Sequence, residues 1–163
     1  MKNNQIAKIW VLVAAVSILT PREGRCESTP LKLDVSTNKV VVNSGDEVRV
    51  RVSLKNVSAR PIHISKTVGN VQLQYKIEVT DESGKPVERT ALGKSLQGPM
   101  VSSDTVFPLK PGETTSDEIS ISSLFELSRP GNYLIQVFRE VPGRSDGRVA
   151  KSNALRIRIM PQN

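Results

Sequence analysis

The sequence predicts an all-β protein, a two-layer antiparallel sandwich of about seven to eight strands that follows an N-terminal signal peptide. Three observations predict this class: apolar residues recur with period two, turn residues separate the segments at short intervals, and helical spacing is almost absent. Successive side chains of a strand point to opposite faces, so each segment has one buried and one solvated face. Half-buried strands are typical of antiparallel sheets, since parallel strands are usually buried on both sides.

The first element is a leader. Basic residues flank a short polar start, a largely apolar run covers residues 9–19, and Gly24-Arg25-Cys26 offers small residues at the two positions that signal peptidase reads. The apolar run is too short to span a bilayer, which needs roughly 20 residues, so a retained anchor is the weaker alternative. We expect residues 1–26 to be a signal peptide cleaved after Cys26, and residues 27–163 to form a single domain without a transmembrane segment.

Cleavage changes the composition of the chain. It removes the only cysteine and the only tryptophan, and it lowers the formal net charge from +7 to about +4. A domain without cysteine cannot form disulfides, which is more natural for a bacterial envelope protein than for a small eukaryotic secreted domain. Glu23-Gly24-Arg25 is not the small apolar context that a lipid anchor on Cys26 needs. We therefore expect an exported protein, free in the periplasm or secreted.

The strands follow one another after the leader. Alternation is strongest over residues 48–54 and 71–79, and clusters of glycine, proline, asparagine, aspartate and serine divide the segments. Leu124 and Leu127 are three apart and predict a single helical turn over residues 123–127. The predicted strands are residues 31–36 with 40–42, then 48–54, 62–65, 71–79, 105–109, 118–122, 133–138 and 155–159, divided by turns at residues 43–46, 81–84, 110–113, 142–143 and 146–147.

One long segment, residues 81–104, has no firm strand pattern. It exceeds the roughly 12 to 15 residues at which structureless loops become uncommon. It is either a functional loop, with Leu96 and Met100 as candidate contact residues, or it contains a weak edge strand near residues 87–92. We favour the edge strand.

The run Arg129-Pro130-Gly131-Asn132-Tyr133-Leu134-Ile135 resembles the tyrosine corner of immunoglobulin-like domains. With residues 45–56 and the turn at 109–113, it makes residues 31–160 similar to bacterial immunoglobulin-like sandwiches of the intracellular proteinase-inhibitor-like or CARDB-like type. The resemblance implies a structural role for Gly131 and Tyr133, with the tyrosine hydroxyl bonded to the main chain just upstream. Functions across this architecture are unrelated, so the resemblance implies no activity.

The usual residues of catalysis and metal binding are scarce. His63 is the only histidine, and the mature chain has no cysteine, so a transition-metal site has too few ligands. The carboxylate pairs are adjacent in sequence and would point to opposite faces of a strand. No nucleophile elbow, phosphate-binding glycine loop or dinucleotide motif is present. We predict no catalytic residue, no cofactor and no metal.

Basic residues concentrate between residues 139 and 158. Arg156 and Arg158 alternate with apolar residues and are expected on the solvated face of the last strand, whereas Arg144, Arg148 and Lys151 could contact an anionic surface such as lipid headgroups or acidic glycan. Nucleic acid is a poor partner, because no aromatic residues are interleaved with the cations and the compartment is wrong.

These observations predict a non-enzymatic binding or interaction module of the bacterial cell envelope, whose partner is a protein or an anionic envelope surface. The first alternative is a proteinase inhibitor of immunoglobulin-like fold that presents residues 94–103 as an extended loop. A small hydrolase that uses only aspartate, glutamate, serine or lysine is the least favoured alternative.

Overall fold

Ten strands, two short helices and a 3₁₀ turn occupy the part of the chain that the computed structural model describes, residues 29–67, 70–97, 104–142 and 147–162. The all-β class is confirmed, while residues 1–26 lie outside the described residues. The helices are α1 (Ala91–Ser95) and α2 (Ile121–Leu124), and the 3₁₀ turn is Val71–Gln74. The strands are β1 (Leu31–Ser36), β2 (Val41–Asn43), β3 (Arg49–Asn56), β4 (Ile62–Thr67), β5 (Lys76–Asp81), β6 (Asp104–Leu109), β7 (Thr114–Ser120), β8 (Gly131–Glu140), β9 (Val149–Lys151) and β10 (Leu155–Met160).

The strands form two main sheets and one short ladder. One sheet has the order β1-β3-β7, and the other has the order β2-β10-β8-β5 with β9 also paired to β8. We call the second one the five-stranded sheet. The remaining strands, β4 and β6, pair with each other. Their ladder follows that of β3 and β7 after a short interruption in the strand pairing. All pairings are antiparallel except that of β2 with β10, which is parallel.

A single core lies between the sheets. Because side chains alternate along each strand, every long strand contributes a row of buried aliphatic residues to one cluster. Val50, Val52 and Ile135 are all essentially inaccessible to solvent. The cluster continues onto α2 through Ile121 and Leu124, so this helical turn closes the core at one end.

Asn56 stabilises the bend of the chain between β3 and β4. Its Nδ2 donates to the main-chain oxygens of Arg60 and Leu109, both at 2.8 Å, and its Oδ1 accepts from the Ser58 main-chain N–H at 2.9 Å. The side chain is fully buried and replaces strand hydrogen bonds where the chain bends. Asn56-Val57-Ser58 matches a glycosylation motif, but the side-chain nitrogen of Asn56 is buried and already donates two hydrogen bonds.

Asn153 bonds β1 to the connection between β9 and β10. Its Oδ1 accepts from the Val35 main-chain N–H at 2.8 Å, and its Nδ2 donates to the Val35 main-chain oxygen at 2.9 Å. Beside it, the Ser152 hydroxyl accepts from the Val137 N–H at 3.0 Å. The amide of Asn153 therefore acts as one more strand residue at this edge of the sandwich.

Several local predictions differ from the structure. The helical turn expected over residues 123–127 is Ile121–Leu124, and the strand expected over residues 118–122 ends at Ser120. Residues 71–74 form a 3₁₀ turn rather than the start of a strand, and Val149–Lys151 forms a strand that the sequence did not predict. No edge strand forms near residues 87–92; isolated bridges join Thr80 to Pro86 and Arg89 to Phe125, and α1 follows. Gly93 of α1 lies so close to the main chain of Leu124 that no Cβ would fit, so glycine is required where α1 packs against α2.

Candidate functional site

The tyrosine corner has the geometry that the sequence predicts. Tyr133 is buried near the start of β8, and its hydroxyl donates to the main-chain oxygen of Arg129 at 2.7 Å. Gly131 has a φ of +156°, which favours glycine over residues with a Cβ. Burial raises the pKa of Tyr133, because the phenolate would lose its hydration. Both residues stabilise the fold.

The outer surface of the five-stranded sheet carries the exposed cations. On β8, Tyr133, Ile135 and Val137 point to the core, so Leu134 and Phe138 point outward. Register places Lys76 of β5 and Lys151 of β9 on either side of Phe138. Their Nζ atoms lie 5.6 Å and 5.7 Å from the centre of the phenyl ring, within the range of cation–π attraction.

The arginines of β10 continue this surface. Arg156 lies opposite Leu134, and Arg158 lies between Asn132 on β8 and Val41 on β2. We call the surface formed by Lys76, Leu134, Phe138, Lys151, Arg156 and Arg158 the basic face. A groove of about 610 Å³ crosses it beside Val40 and Val41, whose exposures of 54% and 53% are high for valine.

The acidic residues at the far wall of the groove are already engaged. Asp81 Oδ1 accepts from the main-chain N–H groups of Ser83 and Lys85 at 2.9 Å and 3.0 Å, and the Ser83 hydroxyl donates to it as well. These hydrogen bonds lower the pKa of Asp81. Glu82 accepts from the side chain of Asn132 at 3.2 Å. Asp81 therefore keeps its negative charge at the edge of the groove, and neither it nor Glu82 forms an ion pair with a described residue of the basic face.

Charge is distributed unequally between the two outer surfaces of the sandwich. On the β1-β3-β7 sheet, ion pairs join Lys32 to Asp34 at 3.1 Å and Arg51 to Glu118 at 3.1 Å. On the basic face, Lys76 pairs with Glu78 at 2.7 Å, whereas Lys151, Arg156 and Arg158 form no ion pair with any described residue. The basic face therefore carries a net positive charge that can attract an anion.

The structure separates the contact residues that the sequence suggested. Lys151 belongs to the basic face, while Arg148 is half-buried just before β9, where its main-chain oxygen accepts from Val141. Leu96 packs against the edge of the core at the end of α1. Arg144 and Met100 lie outside the described residues. The segment suggested for an inhibitor loop starts inside α1, and its residues 98–103 are also outside the described residues.

Arg139, the first cation of the basic stretch at residues 139–158, is buried rather than on the surface. It is 5% exposed, and its guanidinium donates to Gln74 Oε1 at 2.9 Å and to the Ser65 main-chain oxygen at 2.6 Å. The guanidinium carbon lies 5.1 Å from the centre of the Tyr75 ring. The signal was present in the sequence: strict alternation from Tyr133 through Ile135 and Val137 points Arg139 into the protein.

A polar cluster continues from Tyr75 to the opposite sheet. The Tyr75 hydroxyl donates to Asp117 Oδ2 at 2.7 Å, and Lys66 Nζ lies 3.0 Å from Asp117 Oδ1. Two effects raise the pKa of Tyr75: desolvation, which is the larger, and the hydrogen bond to Asp117. The cluster thus joins β4 and β7 to the residue that precedes β5 through charge-assisted hydrogen bonds.

The residues that often hold metals are dispersed. Within the described ranges, no three histidine, cysteine, aspartate or glutamate side chains come together as a possible metal site. His63 is exposed on β4. None of the helices in the described ranges has the length and apolar character needed to cross a membrane.

Several solved structures are similar to this chain at low identity. The CARDB domain of a Pyrococcus furiosus protein, in complex with di-metal ions, is 14% identical with a TM-score of 0.43, over 81% of this chain and 94% of that chain. A β-glucosidase from Listeria innocua in complex with glucose is 13% identical with a TM-score of 0.45, over 81% of this chain and 16% of that chain.

A family 123 glycoside hydrolase from Clostridium perfringens is 11% identical with a TM-score of 0.37, over 82% of this chain and 28% of that chain. This chain therefore spans only a small part of the length of the two hydrolases. The resemblance to a CARDB-like sandwich and to these enzymes is one of fold alone. No protein-family model matches the chain, and no curated protein sequence matches it.

Proposed function

We propose that this chain is an exported, non-enzymatic binding module of the bacterial cell envelope. It binds an anionic surface through its basic face. The observation that carries the proposal is the excess of cations on one outer surface of the sandwich, where Arg156 and Arg158 form no ion pair with a described residue. Export rests on the leader, and the absence of catalysis rests on the scarcity of histidine and cysteine. A rigid sheet suits recognition of a flat surface, because little conformational freedom is lost on binding.

The apolar residues of the basic face support a lipid surface in particular. Leu134 and Phe138 lie among the cations, and the exposed Val40 and Val41 form the adjacent wall of the groove. Cations near a membrane are attracted to anionic headgroups, and apolar side chains gain free energy by leaving water at the interface.

Binding to vesicles tests the proposal. The mature protein should bind vesicles of phosphatidylglycerol and phosphatidylcholine, bind pure phosphatidylcholine far more weakly, and lose affinity as salt rises. The double variant Arg156→Gln/Arg158→Gln should bind the anionic vesicles roughly 30-fold more weakly, since each cation contributes about 1 kcal/mol near such a surface.

The chain offers a matched control on the opposite sheet. Arg49→Gln/Arg51→Gln changes the net charge by the same amount on exposed strand positions, and it should leave vesicle binding nearly unchanged. Equal losses in both double variants would mean that net charge alone is responsible. Equal binding to the anionic and the neutral vesicles would refute the proposal.

A further inference from the structure

A cleft opens where β8 ends, at the opposite end of this strand from the groove of the basic face. Its volume is about 790 Å³, and it lies between β4 and the β8-β9 hairpin. Much of its wall is apolar, formed by Leu73, Phe138, Val141, Pro142 and Val149. Arg139 and Gln74 supply polar groups to the same cleft.

Arg139 brings a charge that the surrounding protein leaves uncompensated. Its two hydrogen-bond acceptors, Gln74 Oε1 and the Ser65 main-chain oxygen, are both neutral, and no described carboxylate forms an ion pair with it. A guanidinium has five N–H donors, and these two hydrogen bonds use only two of them. A buried charge without an opposite charge is unfavourable, and the Tyr75 ring offsets only part of that cost.

Gln74 adds a second donor without a partner. Its Oε1 accepts from Arg139 Nη1, which fixes the orientation of the amide, because a flipped amide would direct its NH₂ group at the guanidinium. Its Nε2 is consequently directed elsewhere, and it is buried without a hydrogen-bond partner among the described residues. Orphaned buried donors of this kind are uncommon and costly.

We propose that this cleft binds a carboxylate that carries an apolar group. The unfilled groups are all donors, so they require an acceptor, and the planar guanidinium fork matches the two oxygens of a carboxylate. The apolar walls would hold the remainder of the ligand away from water. Asp104 and Glu140 are exposed at the cleft and would repel a ligand with several negative charges, which favours a singly charged anion.

Such a ligand has two natural sources, a free fatty or other monocarboxylic acid and the C-terminal carboxylate of a peptide with an apolar last residue. The cleft and the groove of the basic face share no described lining residue. Lys76 and Phe138 of the basic face also line the cleft, whereas Gln74 and Arg139 belong to the cleft alone. Variants of Gln74 and Arg139 therefore separate binding in the cleft from the function proposed for the basic face.

Titration of the ¹⁵N-labelled mature protein with octanoate tests the proposal. The amide resonances of Ser65, Tyr75 and Arg139 should shift, and 1-octanol, which has the same chain without the carboxylate, should bind at least about tenfold more weakly because it forms no charged hydrogen bond. Peptides ending in valine, with a free or an amidated C-terminus, form the second arm. Tighter binding of octanoate or of the free peptide identifies the source of the carboxylate.

Variants locate the binding groups. Gln74→Leu should weaken octanoate binding about tenfold by removing one donor, and Arg139→Lys should weaken it further by removing the fork while keeping the charge. Gln136→Leu, on the outer surface of the same strand, is the matched control and should bind as the unmodified protein does. If Arg139→Lys fails to fold, Gln74→Leu still decides. Equal affinities for octanoate and octanol, or full affinity in Gln74→Leu, would overturn the proposal.

Discussion

At the scale of single residues, two tyrosine hydroxyls connect parts of the chain that the strand ladders leave separate. Tyr133 bonds to the main chain of Arg129, and Tyr75 bonds to Asp117 across the core, each at 2.7 Å. Both side chains are 7% exposed, so each hydroxyl would be costly to leave without a partner. Their rings add apolar contact area to the core, which gives each residue two separable contributions to stability.

Replacing Tyr133 with phenylalanine separates these contributions. The ring would keep its packing, but the Arg129 oxygen would lose its hydrogen bond, and we expect the free energy of unfolding to fall by about 1 to 3 kcal/mol. Urea denaturation followed by circular dichroism measures the change in midpoint, and the slope should stay the same because the same surface is exposed. A midpoint equal to that of the unmodified protein would show that the hydroxyl does not stabilise the corner.

At the scale of the elements, the connection between β9 and β10 holds the edge of the sandwich. Asn153 makes two hydrogen bonds to Val35, and through them β1 is joined to the opposite sheet. Ser152 bonds to β8 one residue earlier, so a short connection fixes both neighbouring strands. Side chains that copy main-chain hydrogen bonds are sensitive to substitution, because only glutamine has the same amide and its longer side chain would displace the donor and the acceptor.

We expect Asn153→Ala to destabilise the protein by about 1 to 3 kcal/mol, because the Val35 N–H and C=O would lose their partners. Hydrogen exchange at the Val35 amide should accelerate more than exchange in β8, since β1 would open locally. Asn132→Ala is a suitable control: it removes an exposed asparagine whose side chain bonds only to Glu82 among the described residues. If both variants exchange alike at Val35, Asn153 does not hold this edge.

Alternation in the sequence was sufficient to predict most of the elements but not where some of them begin. Residues 71–75 alternate as a strand does, yet Gln74 turns to accept from Arg139, and Tyr75 reaches Asp117 in another strand. These partners are distant in sequence, so no local pattern could indicate them. The sequence predicted only part of the basic face. Lys76 and Lys151 are distant in sequence, and only strand register places them on either side of Phe138.

At the scale of the whole molecule, the two outer surfaces and the two ends of β8 differ in character. One outer surface carries paired charges and the other carries the basic face. The cleft at Arg139 and the groove at Asn132 lie at opposite ends of β8. Both proposed sites therefore belong to the same sheet, whose inner surface forms much of the core, and they meet at Lys76 and Phe138.

The two buried tyrosines predict how global stability depends on pH. Desolvation raises both pKa values above the reference of 10.0, so the folded protein keeps protons that the unfolded chain loses as the pH rises past that value. The contribution of the two tyrosines to stability is then fully present below about pH 10 and is lost as the pH rises above it. Urea midpoints measured from neutral to alkaline pH should show this decline, and Tyr133→Phe should show a smaller one. Constant midpoints above pH 10 would contradict the prediction.

The parallel pairing of β2 with β10 has a mechanical consequence. These strands run in the same direction, with Val41 to Asn43 beside Arg158 to Met160, and they come from opposite ends of the described chain. Once β1 has been drawn away from β3, tension between the two chain ends would slide β2 lengthwise against β10. The hydrogen bonds of that pair would then bear the load together rather than breaking one after another. Tension would therefore meet its greatest resistance at this short pair of strands.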